Sequence, residues 1–176
     1  MTSGCDERNW LPSVTLDLMS PFDLAAVLCL ERVCFPSAWT PESYLRELRN
    51  PNSYYVVARC QGEVVGYAGM WVIEDEAHVS TLAVRPDVRR RGLGEAMMRH
   101  LLHVARTRGA MRMTLEVREQ NEVALALYRK LGFTSRGLIP HYYGDTGENA
   151  HVMWKELGDE QSKPDDGSSV NQQPSD

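Results

Sequence analysis

Long apolar runs, clustered cysteines and an excess of basic charge are all missing from this chain of 176 residues, and each shortage removes a class of function. No hydrophobic stretch approaches the roughly 18 residues of a membrane span. Met1 to Glu7 lacks the basic-then-apolar layout of a secretory leader. The expectation is a cytoplasmic protein without a membrane partner. Cys5, Cys29, Cys34 and Cys60 are scattered and form no C-x-x-C pair, which argues against a disulfide framework and a zinc site, so no metal is expected. A net charge of −5 disfavours a nucleic-acid partner. The stretch from Gly158 to Asp176 accounts for −4 of it, leaving −1 for everything before. The positive charge of that body gathers at Arg85 and at Arg89, Arg90 and Arg91.

What is present is an ordinary globular composition, 43% hydrophobic and 24% charged, of a length that suits one domain. Its organising stretch is Val79-Ser80-Thr81-Leu82-Ala83-Val84 followed by Arg89-Arg90-Arg91-Gly92-Leu93-Gly94-Glu95. It reads as a strand, a glycine-containing loop and a helix. Gly92 and Gly94 can adopt φ > 0 and let the backbone close around a ligand. The N–H groups of a first helical turn have no intrahelical partner and lie at the positive end of the helix dipole, so this loop is an anion cradle suited to a pyrophosphate. Its spacing Arg89-x-x-Gly92-x-Gly94 matches neither the dinucleotide fingerprint nor the P-loop.

Patterning along the chain predicts a strand at Val14 to Leu18, a helix from Pro21 to about Cys34, and a second helix opened by Thr40-Pro41. Between them, Phe35 and Trp39 in a proline-containing loop read either as a staple between the helices or as ligand-facing aromatics. Tyr54 to Arg59 and Glu63 to Ile73 predict a hairpin, followed by a strand from His78 to Val84 and a helix from Gly92 to Arg108. Met111 to Arg118 predicts a strand with Met111, Met113, Leu115 and Val117 on its apolar side and Glu116 on the other. Asn121 predicts the cap of a short helix carrying Tyr128. Phe133 to Gly137 and Ala150 to Glu156 predict two last strands joined by a polar loop with Tyr142 and Tyr143. The expected architecture is an α/β mixed sheet flanked by helices over residues 13 to 157. A loose arm is expected at 1 to 12 and a disordered acidic tail at 158 to 176.

The loop resembles the [RQ]-x-x-G-x-[GA] signature of the GCN5-related N-acetyltransferases, and the element order resembles their fold over residues 13 to 157. Leu115-Glu116-Val117-Arg118, Asn121, Ala126-Leu127-Tyr128, Leu131-Gly132-Phe133 and Tyr142-Tyr143 make the chain similar to the RimI-type branch, which acetylates ribosomal proteins at an N-terminal alanine. The resemblance implies acetyl-CoA as co-substrate. Leu82, Ala83 and Val84 would meet the acetyl and pantetheine arm, Arg89 to Glu95 the pyrophosphate, and Asn121 a further part of the cofactor. Phe35, Trp39, Tyr142 and Tyr143 would border an acceptor peptide. Taken by themselves, Glu116 reads as a surface carboxylate and Tyr128 as a core tyrosine; the resemblance makes them general base and general acid, with His141 the next candidate base. One departure is that Ser37-Ala38 separates Pro36 from Trp39 where that branch commonly has Pro-Trp adjacent.

Magnitudes favour an α-amine as acceptor. A glutamate of about 4.3 facing an α-ammonium of about 7.7 leaves a gap of roughly 4.6 kcal/mol, against roughly 8 kcal/mol for a lysine of about 10.4. The expected function is therefore acetyl transfer from acetyl-CoA to a protein N-terminus, which the resemblance makes an alanine of a small-subunit ribosomal protein. The competing readings are a small-amine or lysine acetyltransferase and a non-catalytic acetyl-CoA-binding regulator.

Overall fold

A computed structural model describes residues 10 to 158, so the sequence readings for 1 to 9 and for the tail from 159 lie outside the described residues. Seven strands form one sheet in the order β1-β2-β3-β4-β5-β7-β6. The strands are β1 (Val14–Leu18), β2 (Ser53–Cys60), β3 (Glu63–Ile73), β4 (Glu76–Val84), β5 (Arg112–Arg118), β6 (Thr134–Ile139) and β7 (Ala150–Glu156). Four helices cover it: α1 (Leu24–Cys34), α2 (Pro41–Arg49), α3 (Leu93–Thr107) and α4 (Glu122–Lys130). The mixed α/β sheet expected from the patterning is what forms.

Strand alternation sends side chains to two cores. Val56, Ala58 and Cys60 of β2 join Leu93, Met97 and Leu101 of α3 and Leu125 and Tyr128 of α4 on one face. Tyr55 and Val57 of the same strand join Leu24, Val27 and Leu30 of α1 and Tyr44 of α2 on the other. Thr40 caps α2 by accepting from the Ser43 N–H at 3.2 Å, and Pro41 takes the first turn, where no N–H is needed.

Several expectations need correction. Trp10 is buried in the core against α3 and Leu11–Ser13 form a 3-10 turn, so the loose arm does not extend to residues 10 to 12. The helix expected from Pro21 begins as a 3-10 turn and becomes α-helical at Leu24. Met111 is exposed, because β5 starts one residue later and Met111 stays in the turn. The apolar face of α3 is wide, with Leu93, Met97, Met98, Leu101, Leu102 and Ala105 all buried.

The sheet's one parallel pair positions the site. All neighbours are antiparallel except β4 and β5, whose pairing runs from Glu76↔Arg112 to Val79↔Leu115 and then stops. Beyond that point β4 stays paired to β3 as far as Val84, while β5 stays paired to β7 as far as Arg118. The two strands part, leaving a fork with Ser80 to Val84 on one arm and Glu116 to Arg118 on the other. An extra residue, Ser80, interrupts the β3–β4 register between Val79 and Thr81 and marks the start of the fork.

Candidate active site

The cradle is built from backbone. Arg90 and Gly92 both take the left-handed conformation, with φ of 61° and 85°, and α3 starts at Leu93. The second positive φ therefore falls on Arg90, and Gly94 is helical. No backbone N–H from Arg90 to Glu95 has an acceptor among the described residues. That row of free donors at a helix start suits an anion. A Cβ placed on Gly94 would lie 3.6 Å from Leu127 Cδ2, 3.8 Å from Val84 Cγ2 and 3.9 Å from Leu82 Cδ2. Gly94 thus faces Leu82 and Val84 at the end of β4 and Leu127 of α4.

The loop's side chains are mostly engaged elsewhere. Arg89 donates to the Val84 carbonyl at 2.9 Å and to Cys34 Sγ at 3.4 Å, tying the loop to β4 and α1. Arg91 sits over the Trp10 ring, 5.7 Å from its centroid. Glu95 is bridged by Lys130 at 2.6 Å and by Arg99 at 2.8 Å, joining α3 to α4. Asn121 accepts the Ala124 N–H at 3.2 Å and so caps α4.

At the fork, a cleft of about 400 Å³ is lined by Trp39, Glu47, Trp71, His78, Val79, Ser80, Glu116, Tyr142 and Tyr143. Glu116 is the first β5 residue past the last β4 pairing. Its Oε2 lies 2.7 Å from His78 Nε2, and both side chains are about one-fifth exposed. The His78 ring stacks on Trp71 at 5.0 Å, and its Nδ1 is buried without a partner. A proton on Nδ1 would be a buried orphan donor, so the tautomer is assigned with Nε2–H donating to Glu116. The second oxygen of Glu116 makes no hydrogen bond among the described residues.

Tyr142 and Tyr143 pack edge to face at 5.0 Å. Arg118 holds their loop: its guanidinium lies 3.9 Å from the Tyr143 ring centroid and bonds to Asp145 at 2.9 Å and Glu148 at 2.6 Å. Burial pushes the Tyr143 hydroxyl up to about 12. Tyr128 lies on the adjoining core face, packed edge-on against Phe133 at 5.9 Å, and burial, then Tyr143, push its hydroxyl up to about 12.

The fold thus gathers Glu116, Trp39, Tyr142 and Tyr143 at one cleft; Tyr128 is not among its lining residues but lies buried in the core, within electrostatic reach of Tyr143. Phe35 is not among the cleft residues; it packs partly buried against the core under α1 and α2, which favours the staple reading. His141 is not there either: its Nδ1 faces the Gly147 carbonyl at 3.2 Å within its own loop. The histidine that meets Glu116 is His78, which sequence reasoning missed. Its position on the polar side of β4, alternating with Ala77 and Val79, was the available signal. Glu47 and Trp71 were missed too, since they enter the cleft from α2 and β3. A second groove of about 460 Å³, lined by Phe22, Asp23, Arg59 and Arg85 among others, is larger but less suited to chemistry. Asp23 is paired with Arg59 there, and Arg85 with Asp87 and Glu63.

Residues 24–133 match the Acetyltransferase (GNAT) family. This chain belongs to that family. The acetyltransferase is 38% identical over 152 residues to the N-alpha-acetyltransferase RimI of Mycobacterium tuberculosis, covering 83% of this chain and 94% of the relative. It is 37% identical over 133 residues to a putative [ribosomal protein bS18]-alanine N-acetyltransferase of Bacillus subtilis, covering 75% and 88%. Among solved structures, the ribosomal-protein-S18-alanine N-acetyltransferase of Escherichia coli superposes with a TM-score of 0.77 at 28% identity, covering 86% of this chain and 98% of the other. Acetyl-CoA is the acetyl donor of the family, and the free N–H row from Arg90 to Glu95 fits its pyrophosphate. No group of His, Cys, Asp and Glu able to hold a metal occurs among the described residues. No helix among them is long and apolar enough to cross a membrane.

Proposed function

We propose that this acetyltransferase acts on the N-terminal α-amine of a protein, an alanine of a small-subunit ribosomal protein. The observation that carries the reading is Glu116: a carboxylate at the mouth of the β4–β5 fork, inside a cleft with four aromatic walls and no Lys or Arg in its lining. Such a cleft takes an amine-bearing chain end. The relatives named for ribosomal-protein-alanine acetylation supply the identity of that end.

In this reading the N–H groups of Arg90 to Glu95 bind the donor's pyrophosphate, and its arm meets the backbone edge of Leu82, Ala83 and Val84 that β5 leaves open, the Ala83 side chain itself lying in the opposite core. His78 orients Glu116 through Nε2–H and leaves the free carboxylate oxygen for the acceptor. As the neutral amine forms its bond to the thioester carbonyl, Glu116 takes the proton the nitrogen loses. Tyr128 supplies a proton to the sulfur as the C–S bond breaks. A phenol at about 12 facing a thiol of about 8.5 is uphill by about 3.5 units, so this transfer is concerted with cleavage.

The test compares two peptides. Near pH 7 about one in six α-amines is neutral, against about one in 2,500 lysines. A peptide beginning Ala-Arg is expected to be acetylated at its N-terminus, and an N-blocked peptide with one free lysine at least about a hundredfold more slowly. Equal product yields by mass spectrometry would defeat the N-terminal reading in favour of a lysine or small-amine acetyltransferase.

A further inference from the structure

The chemistry above leaves one buried carboxylate without a task. Glu31, on α1, is 2% exposed. Its Oε1 accepts the Trp39 backbone N–H at 3.2 Å, and its Oε2 accepts the Tyr44 hydroxyl at 2.9 Å and the Tyr67 hydroxyl. Every donor is neutral. A carboxylate buried without a cation generally costs stability relative to a well-packed apolar side chain. Burial accordingly holds the Glu31 carboxyl above its ordinary range, since the ionised form is the one disfavoured there.

What Glu31 holds is one wall of the acceptor cleft. Its three donors come from three places: the loop between α1 and α2, helix α2, and β3, where Tyr67 lies opposite Ala83 of β4. From Ser37 to Thr40, the Trp39 N–H is the one backbone donor with an acceptor among the described residues. The same carboxylate holds the Tyr44 ring, on which Trp39 packs at 5.3 Å. Trp39 in turn lines the cleft beside Glu116. The loop carrying Trp39 is thus tied to the body of the protein both directly and through Tyr44.

We propose that Glu31 is a positioning residue for the acceptor, fixing the Trp39 wall and so setting peptide affinity without touching the acetyl donor or the reacting atoms. The identity of the acceptor rests on the reading in the preceding subsection. Glu31→Met keeps the volume and removes the acceptor oxygens. Glu31→Gln keeps an amide oxygen for the Trp39 N–H, and the two phenols can turn to accept from its NH₂ group. Glu31→Met is expected to raise the acceptor-peptide KM by about tenfold, the worth of a hydrogen bond to a charged group. Its acetyl-CoA Kd should stay within about twofold, while its Tm should fall by several degrees because the Tyr44 and Tyr67 hydroxyls and the Trp39 N–H lose their buried acceptor. Exchange of the Trp39 amide should quicken by at least about tenfold. Glu31→Gln should restore the peptide KM to within about threefold of the parent.

An unchanged peptide KM and an unchanged Trp39 exchange rate in Glu31→Met would overturn the proposal. So would an acetyl-CoA Kd that worsens in step with the peptide KM, which would make Glu31 a general core residue. Amide exchange needs no turnover, so it decides whether Glu31 holds the loop even if the peptide proves to be the wrong acceptor.

Discussion

The cradle and the cleft lie at two ends of one fork and are made from different material. The cradle is one continuous segment, Arg90 to Glu95, acting through backbone N–H groups, and its side chains serve mainly to brace it. The cleft is made of side chains from β3, β4, β5, α2 and two loops, brought together only because β4 and β5 stop pairing after Val79 and Leu115. A backbone site tolerates change in most of its side chains and is sensitive to what intrudes on it. A side-chain site depends on individual functional groups whose places are set elsewhere in the fold.

Substitutions at the two ends should therefore separate cleanly. The largest effect is expected from Glu116→Gln, which keeps the shape and removes the base. Turnover should fall by about 10² to 10⁴ at neutral pH with acetyl-CoA affinity unchanged. Steady-state rates together with calorimetry measure both, and near-normal turnover would return Glu116 to a surface role.

A smaller and opposite effect is expected from Gly94→Val. The Cβ itself meets ordinary contacts at 3.6 Å and beyond, so the domain should fold. Its two methyl groups then add bulk where the end of β4 meets α4, beside the free N–H row. Acetyl-CoA Kd should rise by about tenfold, roughly 1.4 kcal/mol, while melting stays within a few degrees. Unchanged affinity in a folded variant would move the donor away from this loop.

The smallest effect is an expected absence of change. In the proposed chemistry Tyr128 is the acid, and burial pushes its hydroxyl from 10 up to about 12, so the protonated form persists as pH rises and is lost only on passing through that value. kcat should then be flat between about pH 9 and pH 10.5, whereas an unshifted phenol near 10 would already be losing activity there. An alkaline limb centred near 10 that disappears in Tyr128→Phe would place the phenol in water and reopen the boundary between cleft and core.

How much could be read in advance follows the same division. The cradle was legible because glycine spacing, a preceding strand and a following helix are local signals, each set by residues within a few positions of one another. Even so, the second left-handed residue is Arg90 and not Gly94, a choice made by how the loop is tied down through Arg89 to Val84 and Cys34. In the cleft, Glu116 and the Tyr142-Tyr143 pair were legible through resemblance alone. His78 was passed over for His141, since nothing local distinguishes one polar-face histidine from another; the difference is that Glu116 pairs with His78 across the parallel β4–β5 junction.

Local physical chemistry decided most of the frame: period-two strands, the Thr40-Pro41 and Asn121 caps, the glycines that end α3 and α4, and a row of donors ready for an anion. Those features depend on dihedral preferences and on hydrogen bonds between residues close in the chain, which the order of amino acids carries with it. Tertiary structure alone decided that Trp10 closes the core, that Trp39 lines the cleft while Phe35, packed against the same core, does not, and that a histidine and a glutamate 38 positions apart share one hydrogen bond. It also decided that Glu31, unremarkable in an amphipathic helix, is buried among neutral donors. Each of these depends on which strands pair and where the pairing ends, and that is a property of the packed sheet rather than of any one segment.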